Sequence, residues 1–324
     1  MKKYIFLLLL SLLLTGCAQT PEPTRPETQS PEQTLETLPA PAVEAEAAAL
    51  VQEVPPPAGV VLEPEAPGTR EERCDVAVVD YSHTEEGYIM VCHFGETEKR
   101  LKVLLNGPDT TYHYDLPQGQ WAVLPLSDGD GTYQAGIYRN VQGTEYAMVM
   151  LAEFPVTLQD AFAPFLRPNQ YVNYLDAPNT VALGAQLCDG LEGALPKVAA
   201  VYDYVVQNLS YDEEKAATVE SGYLPHLDQI LEIQKGICFD YAAMMTAMLR
   251  SQEVPCKLVV GYAGTIYHAW ISIWTEENGW VDGAIFFDGH AWKRMDPTFV
   301  SSAEDRQEIL AFVENGDYIA KYLY

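Results

Sequence analysis

The hydrophobic period of this chain changes once, near residue 158, and the change confines the folded part to an α+β class with its strands first. Upstream, from Cys74 to Leu158, short runs rich in Val, Tyr and Ile are separated by turn residues: "DVAVVDY", "GYIMVCHF", "RLKVLLNG", "TTYHYDL", "WAVLPL", "GTYQAGIYRN" and "EYAMVMLAEF". Downstream, "TVALGAQLCDGL" and "LPKVAAVYDYVVQNL" space their apolar residues by three and four. Leu195, Val198, Val201, Tyr202, Val205 and Leu209 fall along one face of the second. A shorter helix is expected at "LPHLDQILEIQ", and strands return after it.

Seven short strands at this spacing predict an immunoglobulin-like β-sandwich over residues 74–158, with a separate α+β domain over 159–324. The run Asp128-Gly129-Asp130-Gly131 lacks the third acidic position and distal Glu of a calcium loop, so it reads as a tight turn. Cys74 and Cys92 are free to pair or not as far as the sequence shows.

The first residues form no fold element. Met1-Lys2-Lys3 is a short positive region and Tyr4 to Leu14 a short leucine-rich one, together a signal peptide over residues 1–16. It ends in Leu14-Thr15-Gly16-Cys17, a pattern that resembles a bacterial lipobox and implies Cys17 as the lipidated residue, anchored to the outer face of the cell membrane. Residues 17–73 then read as a tether. They are rich in Pro, Glu, Thr and Ala, and bury too little surface to offset their ordering entropy. About fifty such residues reach on the order of 150 Å when extended.

Charge excludes some partners. Of 46 acidic and 19 basic residues, nine acidic residues and two arginines fall within 18–70, and Lys2 and Lys3 belong to the leader. That leaves 37 acidic and 15 basic residues from 71 onward, so the folded part is itself acidic and not built for nucleic acid.

The chemistry-bearing candidate is Cys238. It precedes "FDYAAMMTAMLRSQ", a strong helix former that Pro255 follows, and so falls in a helix's first turn. Free N–H groups and the helix dipole favour an anion there, a thiolate included. Gly236 is expected to let the chain turn sharply into that helix, and Asp240 to cap or charge its N-terminus, opposing the thiolate where it lies close. Cys188 and Cys256 lie in apolar patterns and read as small buried hydrophobes.

A nucleophilic cysteine needs a base and a group to orient it. The tripeptide "HAW" occurs at His268 and again at His290. His268 opens the strand "YHAWISIWT", and Asp296 closes a neighbouring short strand, "AWKRMDPT", where a carboxylate can meet the imidazole side by side. His290 is six residues from Asp296 on one apparent strand, roughly 20 Å away at 3.3 Å per residue, and directly follows the Asp288-Gly289 turn. His268 is therefore the base and His290 a turn residue.

The order Cys238, His268, Asp296, with the segments "GICFDYA", "VPCKLVVGY", "YHAWISI" and "MDPTF", resembles the transglutaminase-like superfamily. The resemblance implies a papain-like α+β fold with Cys238 as nucleophile, His268 as base and Asp296 as orienting acid. It further implies peptide or protein substrates, cleaved by hydrolysis or joined by transamidation. Gln234 is a candidate oxyanion donor. The stretch "TEENGWVDGAIFFDGH" is longer than a hairpin between the His and Asp motifs needs.

His83, His93, His113 and His226 show no ligand spacing, so no metal is expected. No phosphate-binding loop or nicotinamide fingerprint is present, so no cofactor is expected either. Two classes stay open at this point: a cysteine enzyme outside the cell, and a surface binding or assembly protein that keeps the fold without turnover.

Overall fold

The computed structural model describes residues 58–282, 285–287, 292–294, 298 and 318–324. The leader, Cys17, His290 and Asp296 lie outside the described residues.

The first half builds two antiparallel sheets. Strands β1 (Glu71–Arg73), β2 (Ala77–Asp80), β3 (Tyr88–His93) and β6 (Ala122–Pro125) make one, in the order β1-β2-β3-β6. Strands β4 (Leu101–Asn106), β5 (Thr111–Asp115), β7 (Gly131–Gln142) and β8 (Glu145–Val156) make the other, in the order β5-β4-β7-β8. The seven expected strands all form, and β1 is an addition. Strand β4 alternates fully and partly buried residues, and its Leu101, Val103 and Leu105 share one core with Val79, Ile89 and Leu124 of the first sheet. All five described cysteines are free, so Cys74 and Cys92 form no disulfide.

The turn at residues 128–131 is held by its own carboxylates. Asp128 accepts hydrogen bonds from the backbone N–H of Asp109 and Thr110 and from the Tyr112 hydroxyl, and Asp130 accepts one from the Leu158 N–H. Both acids are consumed in loop geometry, as a tight turn requires.

The packed structure begins earlier than expected. Residues 58–73, assigned by composition to the tether, run against the folded part. The Val60 N–H donates to the Ser251 carbonyl at 2.8 Å, the Glu65 N–H to the Tyr88 hydroxyl, and the Gly68 N–H to Asp80. Ala66 covers the outer face of β3, against Tyr88 and Met90. Proline and glutamate suppress regular structure but do not prevent an extended segment from capping a sheet whose other face is already buried.

The second half is helical and then stranded. It comprises α1 (Pro178–Cys188), α2 (Ala194–Asn208), β9 (Ser210–Tyr211), α3 (Glu213–Thr218), α4 (Leu227–Ile233), β10 (Lys235–Gly236) and α5 (Cys238–Arg250). Every residue of α5 from Asp240 to Arg250 is buried, so this helix is the centre of the domain and its Ala and Met side chains face neighbours on all sides. Those neighbours include α1, α2 and the strands β11 (Cys256–Ala263) and β12 (Ile266–Thr275). With β13 (Gly279–Asp282) and β16 (Tyr318–Leu323) these strands form a sheet of order β13-β12-β11-β16.

Strand β14 (Ile285–Phe287) pairs with β15 (Trp292–Arg294), with Phe287 opposite Trp292. The sequence places the Asp296 strand beside that of His268. In the described residues, however, β15 pairs with β14, while β12 pairs with β11 and β13. The extra length of "TEENGWVDGAIFFDGH" supplies β13 and the first strand of this additional hairpin.

Arg250 ends α5 with its side chain only 1% exposed. It donates to the carbonyls of Cys256, Arg167 and Tyr324 at 2.6–2.9 Å, joining the helix to β11, to the α1 approach and to the end of β16. Among the described residues no helix is long and apolar enough to cross a membrane.

Candidate active site

Cys238 is the first residue of α5, following Ile237 in extended backbone. It is partly buried and lines a cleft of about 450 Å³ together with His268 of β12. The cysteine and histidine singled out from sequence are thus brought to one cavity. Asp296, His290 and Cys17 lie outside the described residues. Thr298, two residues beyond Asp296, is buried and borders the same small gap as Ala242 of α5 and Ala269 of β12.

His268 is 4% exposed. Its ring stacks with Trp270 at 6.2 Å and meets Tyr318 of β16 at 6.5 Å. Directly across the ladder stands Gly261, beside an irregularity in the β11–β16 register. A Cβ at Gly261 would lie 2.0 Å from the Ile319 carbonyl and 2.9 Å from the Trp270 ring. The missing side chain is what admits both β16 and the indole that fixes the histidine.

Three other cysteines are unsuited to nucleophilic work. Burial raises the thiol pKa of Cys92 and Cys188, and pushes Cys256 up to about 11.

Gly236 does not owe its place to an unusual turn, since it is absent from the glycines with positive φ. It is required because a Cβ there would stand 2.7 Å from the Cβ of Asp240. That carboxylate is fully buried, and it is compensated. Its Oδ2 accepts from the Ile237 N–H at 2.9 Å and from Lys215 Nζ at 2.5 Å, and its Oδ1 accepts from the Tyr223 hydroxyl at 2.6 Å. The opposition to a thiolate expected of Asp240 is therefore met by a cation from α3.

Gln234 sits at the C-terminal cap of α4 in left-handed backbone, exposed, and its carbonyl accepts from the Ser210 N–H. It does not line the cleft. Tyr211 does: the short parallel pairing of β9 with β10 sets it beside Gly236, two residues before the thiol. Burial, and next the proximity of Cys238, push the Tyr211 phenol up to about 12, so it remains an O–H donor at neutral pH.

One wall of the cleft comes from the N-terminal sheets. Lys102 of β4 pairs with Asp115 of β5 at 2.7 Å, and both line the cavity with His113. The loop after α3 reaches toward this pair: Gly222, at φ 93°, has room for no Cβ, which would lie 2.8 Å from Asp115 Oδ2. Behind the wall, Tyr171 packs its ring against Tyr114, Tyr324 and Phe239, at 5.5, 4.5 and 5.6 Å, linking β5 to the residue after the thiol. Among the described residues no cluster of His, Cys, Asp and Glu is arranged to hold a metal.

The family model described as the transglutaminase-like superfamily matches residues 181–283, about a third of the chain, including Cys238 and His268. The chain is 27% identical over 132 residues to the uncharacterized protein YebA of Bacillus subtilis, covering 33% of this chain and 18% of that protein. It is 26% identical over 109 residues to a protein-glutamine gamma-glutamyltransferase of Pseudomonas aeruginosa, covering 29% and 14%. The matched part thus spans less than a fifth of either curated relative. Among solved structures, the periplasmic domain of TgpA from Pseudomonas aeruginosa aligns at 17% identity and a TM-score of 0.34, covering 74% of this chain and 77% of that one. The residues matched by the family model run from within α1 to the end of β13 and so take in α5 and the strand that bears His268.

Proposed function

We propose that this protein is a cysteine enzyme acting on amide bonds of peptide or protein substrates outside the cell, held at the membrane through lipid on Cys17. The observation that carries the reading is the convergence of Cys238, at the head of α5, and His268, on β12, in one cleft. Asp296 is assigned as the acid that orients His268. The position of Thr298 beside Ala269 supports that assignment, because it returns the chain to the histidine's strand two residues after the carboxylate. The name of the Pseudomonas aeruginosa relative supports protein substrates.

In this mechanism His268 takes the thiol proton and the sulfur attacks the amide carbon. The first-turn N–H groups of α5 face the developing oxyanion. His268 then returns the proton to the leaving amine as the C–N bond breaks, leaving a thioester on Cys238. Water attacking the thioester yields an acid, and an amine yields a new amide. The two N-terminal sheets, read as an immunoglobulin-like sandwich, contribute the Lys102–Asp115 wall against which substrate lies.

Incubation of the full chain with glutamine-containing peptides, with and without a primary amine, tests this by ammonia release and by the mass of the products. Wild type should turn over and Cys238→Ala should not. Alkylation at pH 8 should mark Cys238 well ahead of Cys256, whose thiol ionises only near 11. Undiminished turnover by Cys238→Ala would refute the reading. Separately, Cys17→Ala should leave the protein unprocessed or free of the membrane fraction, and an unlipidated wild type that stays with the membrane would sink the anchor.

A further inference from the structure

The Lys215 ammonium is bonded to the acid built into the thiol helix, from 25 residues away. The run "YDEEKAAT" that contains it is otherwise acidic and small, and none of its α3 residues is buried. Such a helix has no apolar face to hold it in place. Its N-cap Asp212 is tied to the Gly236 carbonyl and to Lys235, and its body is held by a polar knot. Lys215 Nζ donates to Asp240 at 2.5 Å and to the Tyr223 hydroxyl at 2.6 Å, while the same hydroxyl donates to the other Asp240 oxygen. The ammonium also lies 4.2 Å from the Tyr223 ring centre. Asp240 is fully buried, and Lys215 is its cationic partner among the described residues.

We propose that Lys215 is a positioning residue for the thiol: by keeping the Asp240 carboxylate paired it lets Cys238, two residues earlier on α5, carry a thiolate, and with Tyr223 it holds the α3 segment as the outer wall of the cleft. This rests on Cys238 being the nucleophile. A carboxylate two residues along the first turn of a helix opposes a thiolate at that helix's N-terminus. Paired with a cation, it presents a dipole instead of a net charge. Ala216, Val219 and Tyr223, which Lys215 and Tyr223 secure, line the cavity opposite His268.

The other groups facing the thiol do not replace Lys215. Tyr211 on β9 and Tyr267 on β12 are phenols whose pKa burial raises, so they are neutral near pH 7. Tyr171 and Tyr324 are likewise neutral, again by burial. Lys235 of β10 is engaged with Asp212 at 3.2 Å, and Lys102 across the cleft with Asp115. Glu213 and Glu220 are acidic, His113 stands on the far wall, and His268 is the proposed base.

The test is the pH dependence of Cys238 alkylation by iodoacetamide, read from the mass of its peptide in the full-length chain. The reaction forms a C–S bond and expels iodide, and only the thiolate performs it. Lys215→Met should move the midpoint up by roughly one pH unit or more, as an uncompensated nearby charge does. Asp240→Asn, which keeps the shape and leaves the ammonium uncompensated, should move it down. Lys215→Met combined with Asp240→Asn should return it to within about 0.3 unit of wild type. Structural damage would instead move both single variants in the same direction. If Lys215→Met does not fold by circular dichroism, the downward shift in Asp240→Asn decides alone. An unmoved midpoint in Lys215→Met, shifts of one sign in both variants, or an upward shift in Asp240→Asn overturns the proposal. Loss of turnover in Cys238→Ser is independent of all of these and bears only on the nucleophile.

Discussion

Gly261 faces His268 across the β11–β12 ladder, and the space that its absent side chain leaves is taken by the Ile319 carbonyl and the Trp270 ring. Gly261→Ala should therefore separate β16 from β11 and loosen the stack on His268. A rigid Cβ meeting backbone cannot be relieved by a rotamer change, so a loss of about 1–3 kcal/mol is expected. Thermal unfolding measures it, and an unchanged Tm would show that β16 shifts freely.

The two "HAW" histidines separate by mutation. His268→Ala should cut turnover by about 10²–10⁴-fold and slow Cys238 alkylation, since the base is gone. His290→Ala, read from the sequence as a turn residue after Asp288-Gly289, should leave both near wild type. Reversed ranking of the two variants would reassign the base.

Asp296→Asn retains shape while presenting an amide that favours the wrong imidazole tautomer. Turnover should fall at least about a hundredfold with the circular dichroism spectrum unchanged. Full activity in this variant would reduce the site to a Cys238–His268 dyad.

The wall from the N-terminal sheets predicts a split between binding and chemistry. Replacing Lys102 and Asp115 together with Ala removes a pair whose side chains are 28% and 36% exposed, so stability should change by less than about 1 kcal/mol. KM should shift several-fold while the alkylation rate of Cys238 holds within about twofold. A fall in kcat at constant KM would instead tie this pair to the chemical step.

The sequence showed the site's chemistry more fully than its walls. Cys238 was legible because a helix former follows it without a break, and His268 because it opens an apolar, strand-like run, which the structure buries continuously from His268 to Ile273. Lys215, Tyr223 and Asp115 were not, since each acts through a partner more than a dozen residues away, on another element. The knot around Asp240 left one local trace, a lone lysine in an acidic run. Helix α3 was missed for the same reason: with no buried residue it has no apolar period to read. Strand β16 escaped as well, because its residues are mostly exposed or half-buried and it is fixed by pairing with β11. The segment from residue 58 misled in the other direction, since prolines and glutamates that resemble a free tether lie along a sheet and a helix end.

That segment also determines where the folded part takes up mechanical load. A pull on the chain ahead of residue 58 meets the Val60–Ser251 bond first, then the Glu65–Tyr88 and Gly68–Asp80 bonds, one after another. Contacts loaded singly yield one at a time, like a seam being unpicked. The first of them ends on Ser251, directly after the last residue of α5, whose opposite end bears Cys238. Tension is thus delivered to the far end of the thiol helix, where Arg250, bonded to three carbonyls, stands as the brake.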